Sequence, residues 1–300
     1  MNSIKIKYNL SLLGANSLFA LNFSLFVSLL ESLALSIGTI YILQCFALML
    51  ISATLFLIVA HPPIRFRAGD LISIALISIV SSLGWSYMML WGMSLTSPID
   101  AATIASVGPS LTLIFAHALH RRQLSGKRIA GVALSLLGVA ILVINQSLFT
   151  SSQHEIKGNI LLLGAVVVAA VNTLILKPHL ERYGVIRVAL IYAIATIIVS
   201  VPLFGGAINS LSTLSLGWSE GAELTLLIVV GSTLPLMLLF EGTEYLTPLH
   251  TSLYRYLQPL IAAVVVVARK QAELTLSGIV ALIVIIAGGI LVAQGVDKAE

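Results

Sequence analysis

The chain has 300 residues, 58% of them hydrophobic and 9% charged, with a formal charge of +4. A soluble domain carries about 25% charged residues, so a water-solvated globule is excluded, and so small a net charge carries no signal for nucleic acid. The single cysteine, Cys45, lies inside an apolar run and rules out an internal disulfide.

A helix that crosses a bilayer needs ~20 mostly apolar residues. In chain order ten stretches qualify: 10–30, 35–60, 71–95, 99–119, 126–144, 159–176, 185–204, 224–246, 249–268 and 274–293. The first follows Lys5 and Lys7 as a secretory signal would. It is longer than the apolar part of a signal, and is read as an uncleaved helix. The runs are continuous rather than alternating, which predicts helices and not a barrel. Two longer connections, 147–158 and 205–223, separate them, the second carrying Trp218, a residue favoured at the membrane interface.

Basic residues orient the helices. With the N-terminus inside, the inner side holds Lys5, Lys7, Arg65, Arg67, Arg121 and Arg122, and also Lys127, Arg128, Lys177, Arg182, Arg187 and Lys298. Only Lys157, Arg269 and Lys270 fall outside, and this excess predicts both termini in the cytoplasm.

The chain also repeats itself at a spacing of 150 residues: Gly14-Ala15 recurs as Gly164-Ala165, Ala20 and Asn22 as Ala170 and Asn172. Gly92 recurs as Gly242, Pro98 as Pro248 and Pro109 as Pro259. Residues 1–146 and 147–300 are therefore two five-helix repeats. Five is odd, so the second copy enters the membrane from the other side. The expected fold is an all-α integral membrane protein of ten transmembrane helices in two inverted repeats, the construction of many secondary transporters.

The two copies of Gly-to-Pro turn followed by a helix with a central proline, Gly92 to Pro109 and Gly242 to Pro259, carry a family resemblance. So do the Leu-Ser-Gly starts at Leu124 and Leu276 and the stretch from Gly158 to Gly184. Over its whole length the chain resembles the drug/metabolite transporter superfamily, in its EamA-type ten-helix branch. It departs from the family pattern at Gln258, where a glutamate often precedes the second central proline, and at Arg122-Gln123 and Gln271-Ala272-Glu273. The resemblance implies a substrate path between helices one, three, four, six, eight and nine, with helices five and ten at the periphery. It also implies a small metabolite, amino acid or amphipathic drug as cargo, export across the inner membrane, and no cofactor. The expected partners are the bilayer and the cargo, for a monomer or homodimer, with no metal and no nucleic acid.

Several residues are candidates for the site, each with a structural alternative. Asn22 and Asn172 are amides at matched positions in apolar helices. They either line a central cavity as a symmetric pair or join helices by hydrogen bonds. Pro109 and Pro259 remove a helical hydrogen bond and release the carbonyls of Ala105 and Arg255, which shapes a cavity or bends the helix. Glu241, Glu244 and Arg255 are ionisable within the apolar runs. Glu241 and Arg255 each lie seven residues from Pro248, so an ion pair at one depth is expected, as a cytoplasmic gate or as a static pair. Trp85, Met89 and Tyr254 are expected to offer apolar surface to a flat cargo, or to pack; Gln258 belongs to the same candidate set. Arg255 beside a ring would hold a carboxylate.

Two other function classes were weighed. An intramembrane enzyme calls for a His-Glu-x-x-His run or paired aspartates, and the sequence has neither. A non-transporting scaffold subunit has no need of polar residues buried in a duplicated core.

Overall fold

The computed structural model describes residues 2–33, 35–59, 65–120, 125–149, 153–213, 217–270 and 275–294. Of the sequence features above, Arg121, Arg122, Gln123, Leu124, Gln271, Ala272, Glu273, Leu274 and Lys298 lie outside the described residues.

The described residues form ten helices. We label them α1 (Asn2–Leu33), α2 (Ile37–Ile58), α3 (Ala68–Met93), α4 (Pro98–Leu119), α5 (Gly126–Phe149) and α6 (Gln153–Tyr183). The rest are α7 (Val185–Phe204), α8 (Trp218–Tyr245), α9 (Pro248–Ala268) and α10 (Leu276–Gln294). All but α5 and α10 are long and apolar enough to cross a bilayer over their described residues. Lipid offers the backbone no partner, so an all-helical chain with exposed side chains such as Leu50, Leu57, Ile198 and Val264 presents hydrocarbon to hydrocarbon. The sixth helix runs past its expected end, through Pro178. Part of the 205–223 connection is also helical: Gly205–Thr213 winds as a 3-10 helix, and Trp218, which starts α8, is almost fully exposed.

The packing carries the duplication. The first helix lies on α8 and α9, as α6 lies on α3 and α4. The two self-matched pairs, α2 with α7 and α5 with α10, pack on each other. The same pairing holds at single residues. Gly92 sits against Leu162, and their counterparts 150 residues away, Gly242 and Leu12, meet in the same way. Between α5 and α10, Gly131 abuts Gly288, and Gly138 abuts Ala281. Helices associating in lipid gain from close backbone approach at small residues, and these glycines supply it.

Turn chemistry is also duplicated. The Ser97 hydroxyl accepts from the Asp100 N–H at 3.1 Å, and the Thr247 hydroxyl accepts from the His250 N–H at 3.3 Å. Each is followed by proline at the first helical position, which has no N–H to leave unpaired. Further on, α4 is interrupted at Ser106-Val107 and α9 winds as a 3-10 turn over Tyr254–Tyr256. Pro109 and Pro259 stand just beyond these breaks, the local unwinding expected of both.

The third helix of each repeat widens into a π-helical segment, Ser82–Tyr87 in α3 and Leu226–Thr233 in α8. These two segments are not in register.

Candidate functional site

A cavity of about 960 Å³, its open mouth included, lies where the two repeats cross. The first repeat contributes Asn16, Phe19 and Asn22 from α1, Tyr41 and Gln44 from α2, and Trp85 and Met89 from α3. The second contributes Tyr192 and Thr196 from α7, Ser232 and Leu236 from α8, and Arg255 and Gln258 from α9. A second recess of about 310 Å³ adjoins it, and Trp85, Leu236, Leu239 and Arg255 border both.

One polar network forms around the widened turn of α8. Pro235 has no N–H to offer the Gly231 carbonyl four residues upstream, and side chains fill in. Asn22 donates through Nδ2 to the Gly231 carbonyl at 2.7 Å and to the Ser232 hydroxyl at 2.8 Å. Gln44 donates to the same hydroxyl at 2.7 Å, and Ser232 donates on to the Leu227 carbonyl at 2.8 Å. Asn22 packs closely on Gly231, where a Cβ would sit 3.3 Å from its Nδ2. Asn22 Oδ1 is buried and finds no donor among the described residues.

Asn172 does not mirror this. It lines the smaller recess, and its Oδ1 likewise finds no donor. The expected symmetric pair across one cavity is therefore corrected. The counterpart of Pro235 is Trp85, which keeps its N–H, so no proline frees the Ser81 carbonyl, the counterpart of Gly231, for Asn172.

A second network joins α1 to α9. Gln258 donates to Asn16 Oδ1 at 2.8 Å, and Asn16 donates to the Leu12 carbonyl at 2.8 Å. Asn16, Gln44 and Ser232 are site residues that sequence reasoning passed over. Their signal was a neutral polar side chain within an apolar run.

Arg255 points into the cavity from the 3-10 turn of α9 and is 7% exposed. It packs over Gly108 of α4, where a Cβ would come 2.7 Å from its Cδ. No hydrogen bond or ion pair reaches its side chain among the described residues.

The expected Glu241–Arg255 pair is absent. Glu241 instead takes Lys7 of α1 at 2.8 Å, and its other oxygen accepts from Ser11 at 2.9 Å. Equal distance from the Pro248 turn gave equal depth, but depth does not fix the direction around a helix. Glu241 faces α1 and Arg255 faces the cavity. Glu244 joins Glu241, Lys7, Tyr8 and Arg187 around a separate recess of about 830 Å³ at that end of the bundle. Its backbone carbonyl and that of Thr243 accept from Lys177 at 3.2 and 3.0 Å, a cation at the C-terminus of α8. Neither glutamate lines the cavity.

Tyr254 is also corrected. Its hydroxyl donates to Asn9 at 2.7 Å and its ring packs with Leu12, Ala15 and Leu239, so it serves the α1–α9 contact. Trp85 and Met89 line the cavity as expected, with Phe19 edge-on to Trp85 at 5.9 Å between ring centroids. Pro109 and Pro259 act through the breaks beside them and do not touch the cavity.

At the two ends of the bundle the helices are tied by charge. At one end Asp70 of α3 accepts from Arg182 and from the Tyr183 hydroxyl of α6, both at 2.6 Å. At the other, Glu223 of α8 takes Arg269 at 2.9 Å, and Ser28 of α1 accepts from the same arginine at 3.1 Å. In each case an acid near the start of a third helix is linked to the first helix of the other repeat.

Ten apolar helices in two inverted sets of five, enclosing a mostly apolar cavity lined by both sets, define a membrane transporter of the inverted-repeat type. The family model of the EamA-like transporter family matches the chain twice, over residues 6–144 and 156–294. The chain belongs to this family. A relative, the uncharacterized transporter YyaM of Bacillus subtilis (strain 168), is 26% identical over 233 residues, covering 76% of this chain and 74% of its own. A solved crystal structure aligns over 98% of this chain and 98% of its own with a TM-score of 0.62. At 17% identity that likeness is one of fold alone.

Proposed function

We propose that this chain is a secondary transporter, not an enzyme, that exports a small metabolite, amino acid or amphipathic drug across the cytoplasmic membrane by alternating access. Both termini lie in the cytoplasm in this reading, as the basic residues of the short connections require. The observation that carries it is the cavity at the crossing of the repeats, walled by Trp85 and Met89 from one and by Arg255 and Gln258 from the other. Rocking one repeat against the other exposes such a site to each side in turn. The ties between repeats at the two ends, Asp70 with Arg182 and Ser28 with Glu223 and Arg269, are the contacts that such a motion breaks and remakes.

The test is flux. Protein reconstituted in liposomes loaded with a metabolite panel should release at least one compound faster than protein-free liposomes, and a trans gradient of the same compound should accelerate that release. Absence of protein-dependent release across amino acids, organic acids, amines and amphipathic dyes would remove the transporter reading.

A further inference from the structure

Among the described residues, Arg255 is the one charged residue lining the main cavity and the one lining the recess beside it. A guanidinium withdrawn from water is costly unless an anion meets it. No acid lines either space with it, and Glu241, which the spacing paired with it, is committed to Lys7 and Ser11. The place of Arg255 is built and not incidental, since Gly108 leaves the room its side chain fills and the 3-10 turn of α9 presents it to the cavity. Trp85 borders both spaces alongside Arg255, with Phe19 and Met89 on the same wall of the larger one. A flat apolar surface thus adjoins a planar cation. Carboxylates match a guanidinium fork through two parallel N–H···O bonds.

Resting on the carrier reading above, we propose that the cargo is an organic monoanion whose carboxylate docks on Arg255 while a flat or apolar body lies against Trp85, Phe19 and Met89. The cargo supplies the counter-charge that the protein withholds, so the site selects anions over neutral and cationic compounds of equal shape.

The experiment uses the full chain in nanodiscs and three bodies, indolyl, phenyl and cyclohexyl, each as the acetate, the acetamide and the ethylamine. Binding is read by calorimetry. For at least one body the carboxylate should bind about tenfold or more tighter than its amide, and the amine should be weakest. Arg255→Gln should erase the carboxylate preference and leave amide affinity as it was; Arg255→Lys, which keeps charge but not the fork, should fall between. If Arg255→Gln does not fold, the wild-type ranking and Arg255→Lys decide. An amide or amine equal to its carboxylate, no binding by any carboxylate, or a folded Arg255→Gln that keeps the preference overturns the proposal. Protein-dependent flux in liposomes separates the two claims. Carboxylate binding without flux keeps the anion site and sinks the carrier reading, whereas preferential flux of amines keeps the carrier and sinks the anion site.

Discussion

Gly92 and Gly242 illustrate how far one residue type reaches in this chain. A Cβ on Gly92 would lie 2.6 Å from Leu162 Cγ and 2.9 Å from the Gly158 carbonyl, and a Cβ on Gly242 would overlap Leu12. Overpacking of this kind costs ~1–3 kcal/mol. Gly92→Ala and Gly242→Ala are each expected to lower the melting temperature in detergent, Gly92→Ala the more because its Cβ also meets the Gly158 backbone carbonyl; unchanged melting of both would contradict the packing. Asn22→Ala removes two hydrogen bonds to the widened turn of α8. At ~0.6 kcal/mol per bond in a bilayer, it is expected to lower thermal stability by about 1 kcal/mol. Loss of cargo affinity without loss of stability would show that Asn22 acts on cargo alone. The glycine and asparagine positions were legible because they recur at a fixed spacing. Gln44 and Ser232 have no such recurrence; the carbonyl beside them, that of Gly231, is marked in the sequence only by Pro235 four residues on.

At the scale of the helix, prolines were the readable signal and π-helical widening was not. Pro109 and Pro259 lack an N–H wherever they stand, so a break upstream follows from chemistry alone. The segment Ser82–Tyr87 is ordinary apolar sequence with no such mark, whereas Leu226–Thr233 ends two residues before Pro235. The misplaced Glu241–Arg255 pair also comes from local winding. Rise per residue gives depth, while the 3-10 winding at Tyr254–Tyr256 turns Arg255 by an amount that spacing does not encode. Pro259→Ala lets α9 run as a continuous helix and redirects Arg255. Transport is expected to fall while insertion and expression hold, measured as flux per folded protein. Full flux would mean that the break does not aim the guanidinium.

For the whole molecule, the duplicated order of helices, their odd number per copy and the distribution of basic residues specified the architecture before any contact was known. The direction of asymmetry was hidden. The two copies diverge at single positions, Pro235 against Trp85, which is why Asn22 is bonded to α8 and Asn172 has no matching partner on α3. If the two ends alternate, weakening one tie should favour the conformation in which that end is open. Asp70→Asn and Glu223→Gln are therefore expected to shift the accessibility of a cysteine at Met89 in opposite senses, read with an impermeant thiol reagent on a Cys45→Ala background. Shifts of the same sign would argue against alternation.

The inverted arrangement itself is tested most directly at the starts of the two matched helices, Lys127 of α5 and Ser277 of α10. With Cys45 replaced, single cysteines at these positions in intact cells should report opposite faces: Ser277→Cys labelled by an impermeant reagent from outside, Lys127→Cys labelled only after the membrane is opened. Labelling of both from the same side would contradict two upside-down repeats and the carrier built on them.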